Sequence, residues 1–183
     1  MIRREVIDDV LVESDLRAIQ RELMWNDMFP WYFTDEVVRK GEKTIHDGWY
    51  GYHIFYEARD MTNEDYRNRL DLSYVNVSSF TNILRPVVDV LKPRALVRIK
   101  GNFYARTTQV EEAERHHDLD AEPSHQGAIF FVNTCNGFTR LADGEKVMSV
   151  ENRLLLFDAS DLHNSSTCSD EKGRFNVNFN YYG

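Results

Sequence analysis

The sequence predicts a mainly β protein with flanking helices: a double-sheet jelly roll behind an N-terminal α/β buttress. Three observations carry this. From residue 95 to the end, short strand-like stretches follow one another with turn dipeptides between them. Before residue 93 apolar residues recur instead at helical spacing in two segments. The length of 183 residues and a hydrophobic share of 42% suit one packed domain. No linker or repeat divides it, so 1–183 is taken as a single domain, with 1–93 as support and 94–183 as the jelly-roll core.

VIDDVLVE at 5–12 predicts a short strand leading to Ser14, a residue type that caps helix N-termini. Leu16, Ile19, Leu23 and Met24 then form an apolar stripe, which predicts a helix over 15–26 packed on the main sheet. The aromatic segment Trp25, Phe29, Trp31, Tyr32 and Phe33, interrupted by Pro30, reads as core, with a wall over a substrate channel as the sharper alternative. WYGYHIFYE at 49–57 has strand composition. His46 and His53 receive no role, since a lone histidine is more often a hydrogen-bonded structural residue than a ligand. The charged stretch 61–71 reads as a solvated loop or exposed helix.

A second helix is predicted over 80–91, capped by Ser78 or Ser79, striped by Phe80, Ile83, Leu84, Val87, Val88 and Leu91, and kinked by Pro86. ALVRIKGNFYAR at 95–106 alternates, with Val97, Ile99 and Phe103 on one face and Arg98, Lys100, Asn102 and Tyr104 on the other. GAIFFVN at 127–133 predicts a buried strand, and RLLLFD at 153–158 another. Asn136-Gly137 and Asp143-Gly144 predict tight turns. The last strand alternates strictly: Phe175, Val177, Phe179 and Tyr181 stand opposite Arg174, Asn176, Asn178 and Asn180. Either that polar face is solvated, or it lines a cavity where polar ligands meet it, and the place of Arg174 downstream of His163 favours the cavity.

Thirty acidic against 22 basic residues give a net charge of −8, which leaves no electrostatic footprint for a polyanion, so no nucleic-acid partner is expected. No apolar run approaches the roughly 20 residues of a membrane span. The N-terminus MIRREVIDDVLVESDLR interleaves acids with its apolar residues and does not read as a secretion signal. The expectation is a cytoplasmic protein with free thiols at Cys135 and Cys168, in which the sequons at Asn76 and Asn164 carry no weight.

The chemistry concentrates in two stretches, ERHHDLD at 114–120 and the segment from Phe157 to Tyr182. If a strand runs through the first, His116 and Asp118 share a face and can grip one ion, while His117 points away. Asp120 shares that face and is the reserve carboxylate should a bulge shift the register. The second stretch supplies His163. Two imidazoles and one carboxylate on one side of an octahedral metal leave open positions, the ligand set of non-haem iron(II) oxygenases. Arg174, eleven residues after His163, is placed to clamp a dicarboxylate cosubstrate. His125 either supports a metal ligand or is simply a loop residue, the loop being the reading favoured, and Glu111, Glu112 and Glu114 read as a solvated turn. Cys135 and Cys168 belong to no CxxC pair and match no structural zinc spacing, and neither has the basic partner of a nucleophilic cysteine.

Taken together, LVRIKGNFYART, HHDLD, GAIFFVNTCNGFTRLADG, NRLLLFD, LHNSS and DEKGRFNVNFNY resemble the 2-oxoglutarate- and iron(II)-dependent dioxygenases, in particular the small single-domain members of the prolyl-4-hydroxylase-like branch. The likeness covers roughly 95–182 and is weaker over the first 90 residues. It implies a double-stranded β-helix core, iron held by His116, Asp118 and His163, and Arg174 paired with the distal carboxylate of 2-oxoglutarate. Tyr104 matches a family tyrosine that lines the cosubstrate pocket. A second tyrosine of that branch falls at Phe131, so its phenol is missing here, and Asn176 is the neighbouring polar residue expected to help hold the cosubstrate. The implied reaction is hydroxylation of an unactivated C–H bond, with dioxygen consumed and succinate and carbon dioxide released. The substrate is expected to be a prolyl or other peptidyl or amino-acid side chain, or a small metabolite. Two other readings compete: a cupin-like metalloenzyme that does not use 2-oxoglutarate, and a non-catalytic jelly-roll binding module.

Overall fold

The computed structural model describes residues 4–34, 49–59, 74–118 and 125–183. The charged stretch 61–71, His46 and Asp120 lie outside the described residues.

Among the described residues eleven strands form two sheets. The larger contains β1 (Glu5–Ile7), β2 (Tyr32–Thr34), β3 (Tyr50–Arg59), β4 (Tyr74–Val77), β5 (Ala95–Ala105), β6 (His125–Phe131), β9 (Arg153–Asp158) and β11 (Gly173–Tyr182). Its order is β1-β9-β6-β11-β5-β3-β2, with β4 pairing β3. The smaller sheet is β10 (Asn164–Ser165), β7 (Phe138–Arg140) and β8 (Lys146–Met148), in that order. All pairings are antiparallel. Two isolated bridges, Glu112 to Ser166 and His116 to His163, lay the segment before residue 118 alongside the start of β10. This is the predicted jelly roll.

The alternation of β11 decides the architecture. Phe175, Val177, Phe179 and Tyr181 face the helices, packed with Leu16, Ile19, Leu23, Leu84 and Val87 in the main core. On the opposite side Ile129, Phe131, Leu141, Val147, Leu155 and Phe157 form a smaller cluster between the sheets. The polar face of β11 turns to this side too, and it is not solvated: Arg174 and Asn180 are 0% exposed, Asn176 3% and Asn178 7%. The face is buried, and its Asn176 and Asn178 line a cavity.

The N-terminal elements differ in detail from expectation. β1 covers only Glu5–Ile7, because Asp9 turns the backbone to φ 53° and Asn152 then brackets Leu11 through both its backbone groups, at 2.9 and 2.8 Å. Helix α1 (Glu13–Gln20) starts before Ser14, with Val12 at the cap position and no side-chain cap. Glu13 and Asp15 in its first turn suit the positive end of the helix dipole instead. A π-helical turn, Arg21–Trp25, continues it. Pro86 does not kink α2 (Arg85–Leu91). It stands in the first turn, where its missing N–H costs nothing, after a 3₁₀ turn at Thr81–Leu84. Ser78 does serve this entry, its Oγ accepting the Phe80 N–H at 3.2 Å.

The aromatic segment splits: Phe29 is buried in the core and Trp31 packs against it, while Trp25, Tyr32 and Phe33 are exposed. His53 is structural. Its Nδ1–H donates to the Pro30 carbonyl at 2.9 Å and its Nε2 accepts from Ser78 Oγ at 2.8 Å. Asp143-Gly144 makes the expected tight turn between β7 and β8, with Gly144 at φ 91°. Asn136-Gly137 does not make a hairpin. Asn136 is laced instead to Ser169 and Asp170, and Gly137 is small because a Cβ there would lie 2.6 Å from the Thr167 carbonyl oxygen and 2.7 Å from Arg174 Cδ. No helix among the described residues is long and apolar enough to cross a membrane.

Candidate metal centre

His116 and His163 are brought together by the backbone. The His116 N–H donates to the His163 carbonyl at 2.9 Å and the His163 N–H to the His116 carbonyl at 3.1 Å. No regular strand runs through 114–118; this bridge alone does the work expected of one. The rings lie 4.9 Å apart between centroids. Each Nδ1–H is directed at a carbonyl two residues back, His116 at Glu114 (3.2 Å) and His163 at Asp161 (3.1 Å). A carbonyl only accepts, so both rings carry their proton on Nδ1 and present the Nε2 lone pair inward.

Those lone pairs converge on Asp118. Its Oδ1 is 3.7 Å from His163 Nε2 and 4.0 Å from His116 Nε2, and the three candidate ligand atoms all lie within 4.8 Å of one another. Two atoms each about 2.1 Å from a metal can be at most about 4.2 Å apart, so Oδ1 is within chelating reach of both imidazoles. Three acceptors facing one another repel unless a cation or proton lies between them. The donor set is the nitrogen and oxygen set that suits iron(II). The residues fit a metal ion.

The other carboxylate oxygen is held by the polar face of β11: Asn178 Nδ2 donates to Oδ2 at 2.6 Å and Asn180 Nδ2 at 3.2 Å. Arg98 on β5 reaches Oδ1 at 3.4 Å and the Asp118 carbonyl at 3.3 Å, while its Nε holds Asn180 at 3.2 Å. Burial alone would raise the pKa of Asp118, but the His163, Arg98 and His116 charges and the hydrogen bond with His163 outweigh it and hold the carboxyl well below its ordinary range. Burial opposes charge on His163 as well, yet Asp118 raises it overall; His116 is lowered by burial and by His163.

A small cavity of about 30 Å³ opens from the three ligands and is lined further by Tyr50, Lys100, Asn102, Tyr104, Ser165 and Asn176. Tyr104 is buried against Tyr50, stacked at 5.7 Å, and burial pushes its phenol up. Asn176 accepts from Asn102 at 3.0 Å, and its own Nδ2 has no partner among the described residues. Arg174 pairs with Tyr104 in the sheet register. Its guanidinium lies 5.6 Å from the Tyr104 and Phe131 rings and donates to the Ser166 carbonyl (3.1 Å) and Thr139 Oγ1 (2.8 Å), while Nε has no partner among the described residues. It sits behind Tyr104 and is not part of the cavity surface. Burial pushes the Lys100 ammonium down to about 8, assisted by the Arg98 charge.

The structure therefore gathers His116, Asp118, His163, Tyr104 and Asn176 at one cavity and sets Arg174 beside it. His117 is exposed. His125 is no loop residue: it is buried at the start of β6, its ring 4.4 Å from that of Tyr182, with neither ring nitrogen partnered among the described residues. Glu112 is not merely solvated but is clamped by Arg140 at 2.7 Å through two bonds. Cys135 and Cys168, far apart in sequence, are side by side near Asp170, and a hydrogen bond from Cys168 draws the Cys135 thiol down to about 7. Sequence reasoning missed Arg98, Lys100, Tyr50, Asn178 and Asn180 as site residues. The strand alternation that placed four of them on polar faces was the available signal.

No sequence family matches the chain, and no curated protein matches it. Solved structures do. A Pseudomonas putida prolyl-4-hydroxylase matches at TM-score 0.55 and 14% identity, covering 100% of this chain and 94% of that one. An oxidoreductase of the 2OG-Fe(II) oxygenase family from Burkholderia pseudomallei matches at TM-score 0.65 and 11% identity, covering 98% and 84%. A Trichoplax adhaerens prolyl hydroxylase, solved with a peptide fragment of the hypoxia inducible factor oxygen degradation domain, matches at TM-score 0.65 and 12% identity, covering 98% and 83%. At such identities the likeness is one of fold, and the chain has the jelly-roll fold of the 2-oxoglutarate- and iron(II)-dependent oxygenases.

Proposed function

We propose that this protein is an iron(II)- and 2-oxoglutarate-dependent oxygenase that hydroxylates an amino-acid or peptidyl side chain. The observation that carries the reading is the convergence of His116 Nε2, His163 Nε2 and Asp118 Oδ1, with both imidazole protons turned away to backbone carbonyls. The fold shared with known oxygenases supports it.

Iron(II) bound there would supply the activation of dioxygen that couples decarboxylation of 2-oxoglutarate to oxygen insertion into a C–H bond. The chain's own residues do the rest. His116, His163 and Asp118 hold the ion; Asn178, Asn180 and Arg98 fix the carboxylate so that Oδ1 faces it. Arg174 is the cation for the distal carboxylate of 2-oxoglutarate, with its Nε, which has no partner among the described residues, and its remaining N–H groups as donors. Tyr104 and Asn176 flank that end of the cavity. Phe131, buried with its ring 5.6 Å from the Arg174 guanidinium, offers no phenol to share the carboxylate.

A metal-dependent reaction without 2-oxoglutarate draws support from one observation, that the Arg174 guanidinium is already bonded to Ser166 and Thr139 and lies off the cavity surface. Anaerobic titration separates the readings. An oxygenase of the proposed type develops a weak visible charge-transfer band when 2-oxoglutarate is added to the iron(II) protein, lost in His116→Ala, and releases succinate in air. Iron binding with no response to 2-oxoglutarate supports the second reading, and absence of metal uptake defeats both.

A further inference from the structure

We propose that Lys100 recognises a free carboxylate on the primary substrate, and that this substrate is a free amino acid, not an interior residue of a polypeptide. The inference rests on the oxygenase reading and extends it to a substrate class.

Lys100 stands on β5 between Asn102 and Arg98 on the cavity-facing side, and its side chain lies over the rings of Tyr50 and Tyr52, at 5.1 and 5.6 Å. Its Nζ donates to the Tyr50 hydroxyl at 2.9 Å. An ammonium has three N–H donors, so two remain for the cavity. Among the described residues no carboxylate forms an ion pair with it; Asp118 and Glu57 act on it only at longer range. A half-buried cation with spare donors on the wall of a binding cavity costs free energy until an anion meets it.

The other charges near the cavity are assigned. Arg98 is turned to Asp118. Arg174 serves the distal carboxylate of the cosubstrate, and the keto-acid end of the cosubstrate belongs to the metal. Lys100 is left over, one strand position from the ligand-holding residues: it pairs in register with Asn178. Asn178 offers the complementary group. Its Nδ2 is committed to Asp118, so the Oδ1 is fixed as the unfilled acceptor, buried and without a partner among the described residues. A donor cation and an empty amide carbonyl on neighbouring strands match the carboxylate and ammonium of an amino acid.

The test uses full-length protein loaded anaerobically with iron(II) and 2-oxoglutarate. The probes are the twenty free L-amino acids, their carboxamides, and a blocked proline-containing peptide. The readouts are perturbation of the visible band and thermal shift. The expected result is that at least one free acid binds and that its carboxamide binds about tenfold more weakly or worse, the size of one charged hydrogen bond. In Lys100→Met that preference collapses while the 2-oxoglutarate band persists, and Lys100→Arg restores part of it. Equal binding of acid and amide, binding of the blocked peptide alone, or an undiminished preference in Lys100→Met overturns the proposal and leaves the oxygenase reading standing. A wild-type protein that gives no band with iron(II) and 2-oxoglutarate overturns both.

Discussion

Asn178 donates its side-chain amide to Oδ2 of Asp118 at 2.6 Å, across 60 residues of sequence. The bond turns Oδ1 toward the two imidazoles. Asn178→Ala is expected to weaken iron(II) or manganese(II) binding about 10–100-fold, the usual loss when a group orienting a metal ligand is removed. Metal titration by calorimetry checks this. Wild-type affinity in the variant would show that Asn180 and Arg98 suffice to hold the carboxylate.

Gly137 gives room to both Thr167 and Arg174. In Gly137→Ala the new methyl meets a backbone oxygen that cannot rotate away, so the Thr167 main chain or Arg174 must shift. The expected cost is about 1–3 kcal/mol by urea denaturation. A second effect follows, a raised 2-oxoglutarate requirement with metal content retained. An unchanged response to 2-oxoglutarate would argue that Arg174 is a structural tie between Ser166 and Thr139 only.

Phe179 is fully buried on the core face of β11. Phe179→Ala is expected to destabilise by about 3–5 kcal/mol through cavity formation. Its neighbour Asn180 faces the site, and Asn180→Ala should act mainly on metal affinity. Comparable stability losses from both would contradict the division of the strand into a structural and a functional face.

Burial lowers the affinity of His53 for a proton, against a smaller opposing effect of its bond to Pro30. Between its depressed folded value and the ordinary value of about 6.5, the unfolded chain takes up a proton that the folded chain refuses. Stability contributed by neutral His53 is therefore complete above about pH 6.5 and is lost as the pH falls, at no more than about 1.4 kcal/mol per pH unit. Urea midpoints across pH 5 to 8 or so, compared with those of His53→Gln, isolate this contribution. Parallel curves for the two proteins would rule it out.

The fold class was legible because alternation over 95–182 is strong and the turn at Asp143-Gly144 is of the hairpin type. His116, Asp118, His163 and Arg174 were legible by type and order. What the sequence could not carry was distance. Arg98, Lys100, Asn178 and Asn180 looked like ordinary polar positions until β5 and β11 were paired in register and both turned inward. Ser14 and Pro86 were misjudged because a cap or a kink depends on which residue enters the helix first: Val12 stands at the cap of α1 and Pro86 in the first turn of α2. The nearness of Cys135 and Cys168 is likewise a product of tertiary packing, invisible to spacing rules.

The reciprocal peptide bonds between His116 and His163 have an implication for how an ion would come and go. Those two donors form one stiff jaw, whose opening would require the main chain itself to part. Asp118, by contrast, is secured through side chains alone. Loading and loss of the ion should therefore be gated at the carboxylate, and substitutions that loosen its amide grip should speed dissociation while the histidine jaw keeps its shape.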